Sequence, residues 1–335
     1  MPKTYTDRPL LQLALQGGGA HGAFTWGVLD RLLDEPHIDI GHVSGSSAGS
    51  LNGAALVSGL ATSRTAAKAS LQSLWTKIAE AGSLMTFLLL PLRKPGMGLW
   101  DDAMPLLSPY QTNLLGMEPL RYVVEQVIDF DALNRATERT MFVNAMNVRS
   151  GCARVFSAPH LSTDVLLASS CAPLVFQAVE IEGDAYWDGS YAANPHLWPL
   201  YHREPDCDIL LVELTPLNRP ERPTTAKNIL NRINETASIN GLISELRALD
   251  IVNRTARGAD VRLHVVSLDD TGSQEQSEPS VKRTVSRVLF ERLRLAGSEA
   301  CEQWLKSHGA KLGNASTVDI VGRYLAPYAQ PPVAD

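Results

Sequence analysis

The chain is poor in cysteine: among 335 residues there are four, Cys152, Cys171, Cys207 and Cys301, and no two stand in a C-x-x-C spacing. That pattern suggests neither a zinc ribbon nor a disulfide framework, and reduced thiols in a cytosolic setting are the expectation. Positive charge is not in excess either. The 30 basic residues against 36 acidic ones give a net charge of -6, which argues against a surface built to coat nucleic acid. No apolar run approaches the roughly 20 residues that cross a bilayer as a helix. The first, Leu10 to Leu15, is broken by Gln12 and stopped by Gln16, which is not the pattern of an export signal. A cytoplasmic location, with peripheral contact at a membrane, is therefore expected. No repeat of about 20 to 50 residues is visible.

What is present is ordinary globular material, 44% hydrophobic and 20% charged, in a length that corresponds to about two domains or one large one. A short apolar run, Leu10 to Leu15, ends in Gly17-Gly18-Gly19-Ala20-His21-Gly22, and Phe24, Val28, Leu29, Leu32 and Leu33 then recur at helical spacing. A second run, Ile38 to Val43, leads through Ser44-Gly45-Ser46-Ser47-Ala48-Gly49-Ser50 into Leu51, Ala54, Ala55 and Val57. Strand, tight turn and helix thus occur twice in close succession, the signature of a largely parallel sheet covered by helices.

Further strands are expected at Met141–Val148, Ala153–Ser157, from Ala178 to Trp187 as a strand or hairpin around Gly183, at Asp208–Leu214 and at Arg262–Leu268. Helices are expected at Met117–Ile128 and Leu161–Ser170. Residues 61–120 contain the most apolar stretch, Leu84 to Leu92, followed by Arg93, Lys94 and several prolines, and read as an insertion or lid. The stretch is either a buried or lid segment or an apolar lip that touches lipid or an acyl chain. The proline-containing segment from Thr215 to Ala226 marks a boundary. Residues 8–215 form a catalytic unit and 216–335 a mainly helical region with one more strand. In that region Leu230, Ile233 and Ala237, then Leu242, Leu246 and Leu249, make helical stripes, and Asp269–Ser280 reads as a loop. Val281–Trp304 reads as a second helix, with Val285, Leu289, Leu293 and Ala296 making a stripe. Its cations Lys282, Arg283, Arg287, Arg292 and Arg294 make either a solvated face or one that docks on a membrane or partner.

The chemistry concentrates in two glycine motifs. Gly17-x-Gly19-x-x-Gly22 with Asp39 downstream satisfies a dinucleotide fingerprint. Against that reading, Gly45-x-Ser47-x-Gly49 follows the next strand, and a dinucleotide site has no use for a serine on a tight strand-to-helix turn. Such a turn holds the serine hydroxyl exposed at a helix N-terminus, where free N–H groups favour developing negative charge. An ester-attacking serine also needs N–H donors for its oxyanion, which Gly17-Gly18-Gly19 can supply. One function then explains both motifs. For the base, either a triad with His264 or His308 or a direct carboxylate, Asp188 of Asp188-Gly189-Ser190, is open.

These residues resemble the patatin-like phospholipases and acyl hydrolases. The resemblance spans about residues 10–215 and rests on G-G-G-x-x-G at Gly17 to Gly22, G-x-S-x-G at Gly45 to Gly49 and D-G-[GAS] at Asp188-Gly189-Ser190, in family order. Ala168-Ser169-Ser170-Cys171-Ala172-Pro173 with Phe176, and Asn194-Pro195, are similar to the family as well. The resemblance implies a three-layer α/β sandwich and a Ser-Asp dyad, Ser47 as nucleophile and Asp188 as base. It also implies an oxyanion hole of the Gly18 and Gly19 amides with Gly17 or Ala48. Gly22, Gly45, Gly49 and Gly189 are expected as motif support, with no metal or cofactor and a lipid or other acyl ester as substrate. His21 stands where the family often has Arg or Lys, so it either packs at the helix start or contacts a headgroup. A catalytically idle lipid-binding or scaffolding relative is the alternative reading.

Overall fold

The structure, a computed structural model, describes residues 9–89, 108–113, 116–219, 221–256, 260–271 and 284–326. Its strands are β1 (Leu10–Leu15), β2 (Asp39–Gly45), β3 (Met141–Asn147), β4 (Ala153–Phe156), β5 (Val179–Ile181), β6 (Asp184–Asp188), β7 (Asp206–Glu213) and β8 (Asp260–Ser267). Its main helices are α1 (Gly22–Leu32), α2 (Ala48–Leu60), α3 (Arg64–Leu89), the single turn α4 (Pro109–Thr112), α5 (Glu118–Val127) and α6 (Phe130–Arg135). After them come α7 (Thr163–Ser169), α8 (Trp198–Arg203), α9 (Ala226–Thr255) and α10 (Arg287–His308).

All eight strands join one sheet in the order β5-β6-β3-β2-β1-β7-β8, with β4 paired to β3. From β3 through β8 the neighbours run parallel, whereas β4, β6 and β5 enter antiparallel at the other edge. β7 shows why the architecture is three-layered. Its alternate residues Leu210 and Val212 join a core with α1, α2 and α10, and Ile209 and Leu211 join a core with α8 and α9. Both faces are buried, so the strand reads as a continuous apolar run. The C-terminal region extends the same sheet, because β8 pairs with β7 along its whole length.

Of the two readings around Gly183, a strand or a hairpin, the structure shows the hairpin, with Glu182 and Gly183 both at positive φ (54° and 85°) as a two-residue turn between β5 and β6 demands. Other boundaries move. The last helix starts at Arg287, capped by Ser286, so Val285 lies outside it. In α9 the burial falls on Ile239, Leu242, Leu246 and Leu249, while Ile233, of the other expected stripe, is 57% exposed. The apolar stretch Leu84 to Leu92 lies largely outside the described residues, α3 carrying its backbone through Leu89. Most of the loop expected at Asp269–Ser280 lies outside them too, and Asp269–Thr271 form a 3-10 turn. Of the expected basic stripe, Arg294 is ion-paired to Glu291 and Asp30 and its guanidinium lies 5.3 Å from the Trp26 ring centroid.

α1 and α10 interlock through two glycines. A Cβ on Gly27 would overlap the Arg294 carbonyl oxygen, and one on Gly297 the Phe24 carbonyl oxygen. Among the described residues no helix is long and apolar enough to cross a membrane.

Candidate active site

β1 and β2 are adjacent parallel strands with Leu15 opposite Gly45, so the loops that follow them leave the sheet side by side. After β2 the chain turns sharply into α2, and Ser47, its N-cap, is held at φ 52°, ψ -125°. A β-substituted residue there costs about 1 kcal/mol or more. The turn tolerates no side chain at its flanks: a Cβ on Gly45 would stand 2.7 Å from the Gly49 carbonyl carbon, and one on Gly49 would overlap the Leu15 carbonyl oxygen. The glycine loop after β1 rests on this elbow, since a Cβ on Gly17 would meet the Ser47 Cβ at 2.7 Å and one on Gly22 the Ala48 Cβ at 2.6 Å. Both glycine motifs therefore serve one contact.

Asp188 arrives from the antiparallel edge. It ends β6, opposite Ala145 of β3, and β3 in turn pairs with β2. Its amide donates to the Cys171 carbonyl at 2.9 Å. Gly189 follows because a Cβ there would overlap the Asn144 carbonyl oxygen. The Asp188 carboxylate accepts the Ser190 amide (2.8 Å) and hydroxyl (2.7 Å) on Oδ1, and the Ser47 side chain is near enough to favour its charged form. The structure thus brings together Ser47 and Asp188, which are distant in sequence. Burial pushes the carboxyl above the ordinary carboxylate range, against the lowering effect of the Ser190 hydrogen bonds and the nearby Ser47 side chain. An apolar cluster of Met117, Leu167 and Cys171, with Phe176 and Trp187 against it, lies beside this strand end. The Cys171 thiol is itself driven up to about 12, by burial and then by Asp188.

The backbone donors divide unequally. Gly17, expected among the oxyanion donors, gives its N–H to Asn194 Oδ1 at 2.6 Å, and the Ser47 N–H is taken by Ser169 Oγ at 3.0 Å. Gly17 is therefore corrected to a tether point. The amides of Gly18, Gly19 and Ala48 have no acceptor among the described residues, and Ala48 opens α2, where the helix dipole adds positive potential.

The histidines lie elsewhere. His264 is fully buried in β8, three strands from β2, about 14 Å across the sheet at ~4.8 Å per strand. There it faces Asp208, with Nε2 2.8 Å from Oδ1, and Thr317. His308 ends α10 beside Ser307, and the segment after it lines, with Pro9 and Ile38, a cavity of about 430 Å³ at the opposite end of the strands. His21 is fully buried in the 3-10 turn that opens α1, which fits packing at the helix start and not contact with a headgroup. Asp39 opens β2 opposite Leu10, roughly 20 Å of strand away from the glycine loop, and sits 3.8 Å from Arg64. A ribose-binding acid would stand at the other end of that strand. Among the described residues no group of three His, Cys, Asp or Glu side chains gathers as a metal site.

Several polar residues of the site carry no role legible in the sequence. Asn144 Nδ2 donates to Ser46 Oγ (3.0 Å), Ser46 Oγ donates to the Ala193 carbonyl (2.9 Å), and Asn194 Nδ2 donates to the Gly17 carbonyl (3.1 Å). Ser169 and Asn194 fall in stretches that resemble the family; Asn144 and Ser238, of α9, have no motif to mark them.

The family model for patatin-like phospholipases matches residues 13–201 of the 335, and the chain belongs to that family. A solved structure of VipD from Legionella pneumophila is similar over 96% of this chain and 73% of its own, at 14% identity and a TM-score of 0.45. ExoU, solved as a heterodimeric complex with SpcU from the type III secretion system of Pseudomonas aeruginosa, is similar over 90% of this chain and 52% of its own. There the identity is 20% and the TM-score 0.38. A comparison with curated proteins finds no match.

Proposed function

We propose that the protein hydrolyses carboxylic esters of medium or long acyl chains in lipids, with Ser47 as nucleophile and Asp188 as general base. The observation that carries this reading is that Ser47, held at positive φ on the elbow, has its side chain near enough to the buried Asp188 carboxylate to stabilise its charge. Membership of the patatin-like phospholipases supports a lipid acyl ester as substrate.

Asp188 takes the hydroxyl proton as Ser47 Oγ bonds to the ester carbonyl carbon, and the carbonyl oxygen becomes an oxyanion directed at the Gly18, Gly19 and Ala48 amides. Each such donor is worth about 2.7 to 4 kcal/mol at the transition state. Collapse breaks the bond to the alcohol oxygen, which leaves with the proton from Asp188. Water then gives a proton to Asp188 and its hydroxyl to the acyl carbon, and the proton returns to Ser47 as the fatty acid departs. Burial makes Asp188 a stronger base than a solvated carboxylate, which is what a dyad without imidazole requires.

Mass spectrometry after reaction with a fluorophosphonate probe tests this. The expected adduct is on Ser47, with hydrolysis of a p-nitrophenyl acyl ester abolished in Ser47→Ala. Turnover undiminished in Ser47→Ala, or an inert wild-type protein, would overturn the reading, and the second result would favour an idle lipid-binding relative.

A further inference from the structure

The helix α9 lies beyond the residues that match the family, yet one of its faces grips the active-site loop. Ser238, Gly241 and Glu245 recur at the spacing that places residues on the same side of a helix. Ser238 Oγ accepts Asn194 Nδ2 at 2.8 Å. A Cβ on Gly241 would stand 2.8 Å from the Ala192 carbonyl oxygen, so α9 lies backbone-close to the chain there. Glu245 accepts the Leu197 amide at 2.8 Å and the Trp198 amide at 3.1 Å, and contacts His196 Nδ1 at 2.7 Å. On its other side the same loop meets the elbow strand, through Ser46 Oγ on Ala193 O and Ser44 Oγ on His196 O.

Asn194 is the link that matters chemically. It is buried, and its amide closes on both backbone groups of Gly17: Oδ1 accepts the N–H at 2.6 Å and Nδ2 donates to the C=O at 3.1 Å. The Gly17 carbonyl and the Gly18 N–H belong to one peptide plane, and in a trans plane they point in opposite directions. Pulling the carbonyl toward Asn194 therefore aims the Gly18 N–H away from it. Between two glycines little else holds that plane, because neither residue has a Cβ to restrict its rotation.

We propose that Asn194 is a positioning residue that sets the direction of the Gly18 oxyanion donor, and that Ser238 of α9 holds Asn194 in that orientation. The inference rests on the reading of Ser47 and the glycine loop given above. It makes α9 part of the catalytic apparatus without touching substrate.

The test compares Asn194→Ala, Asn194→Asp, Ser238→Ala and Ser238→Thr in the full chain, using a p-nitrophenyl acyl ester and the fluorophosphonate probe. Asn194→Asp keeps an acceptor for the Gly17 amide but loses the donor to its carbonyl. It is expected to fall with Asn194→Ala by about 100-fold in kcat, the size of one lost oxyanion donor. Phosphonylation should slow in parallel, with KM within about twofold of wild type. Ser238→Ala should lose about fivefold, one ordinary hydrogen bond, and Ser238→Thr should recover it. In Asn194→Ala and Ser238→Ala the acid limb of the pH profile should stay in place, because Asp188 is untouched.

Wild-type kcat in a folded Asn194→Asp, or an acid limb displaced in Ser238→Ala, overturns the inference. Should Asn194→Ala fail to fold, the Ser238 pair decides: equal kcat in Ser238→Ala and wild type refutes the proposed hold. If Ser47→Ala remains active, the reading of the site itself falls. If Ser47→Ala is dead while Asn194→Ala turns over within about threefold of wild type, only the positioning role falls.

Discussion

His264 Nε2 lies 2.8 Å from Asp208 Oδ1, making a buried histidine–aspartate pair of catalytic appearance three strands away from β2, the strand that leads to Ser47. Arg262 and the Gly313 amide complete the set around Asp208, tying the chain after α10 to β7 and β8. The pair is a structural clamp.

Removal of His264 should therefore cost stability and not chemistry. His264→Ala leaves Asp208 buried with one partner fewer, and a loss of about 3 kcal/mol is expected in denaturant unfolding. Fluorophosphonate labelling of Ser47 in the folded protein should stay at the wild-type rate. Burial pushes the Asp208 carboxyl up, but the bonds from His264, Arg262 and Gly313 outweigh it and hold the group below its ordinary value. Its contribution to stability is thus complete above about pH 4 and disappears as pH falls through the lowered native value. A mutant whose deficit persisted unchanged in strong acid would contradict this.

The Asp188 carboxyl is displaced in the other direction, and a general base must be ionised to act. The acid limb of kcat/KM should accordingly lie above about pH 4, where an unperturbed aspartate titrates. Ser190→Ala removes a hydroxyl that stabilises the charged form, so the limb should move to higher pH. A shift to lower pH would show that Ser190 acts differently.

Asp188 should also carry a stability cost. With a native pKa above the unfolded one, the folded state loses stability as pH rises from about 4 through the native value, and it bears the full penalty above that. Asp188→Asn has no charge to bury. Thermal unfolding at neutral pH should show a higher Tm, by about 1.5 °C for each kcal/mol recovered, while turnover falls by about a thousandfold. A lower Tm in the asparagine variant would sink the argument.

Backbone strain at position 47 gives a further contrast. Ser47→Gly and Ser47→Ala both remove the nucleophile, but only glycine relaxes the positive φ. The glycine variant should be more stable than the alanine variant by about 1 kcal/mol in urea unfolding. Gly49→Ala, whose Cβ would overlap the Leu15 carbonyl oxygen, should lose about 3 kcal/mol or fail to fold. Equal stability of the two Ser47 variants would show that the elbow is not strained.

The parallel centre of the sheet and the meeting of the two glycine motifs were legible because each depends on local patterns: apolar runs ended by glycines that only a close approach explains. Asp188 was legible through its glycine and serine neighbours. What stayed hidden depends on distant contacts. Gly17 reads like a third oxyanion donor until Asn194 takes its N–H. Ser238 is one polar residue in a long helix, and nothing nearby in sequence distinguishes it. Ile233 fits a helical stripe, yet it stands exposed because periodicity marks a face without saying whether anything covers it.

The pairing of β7 with β8 bears on how the protein can be cut. Ile209, Leu210, Leu211 and Val212 are shielded from water on both faces, and β8 satisfies their outer backbone groups. A fragment ending at residue 215 would offer that strand as an open apolar border, also stripped of α9, and such borders recruit other chains. Expressed alone, the stretch that carries the family motifs should collect in the insoluble fraction, and a boundary drawn by motif would be a poor guide to where the molecule can be divided.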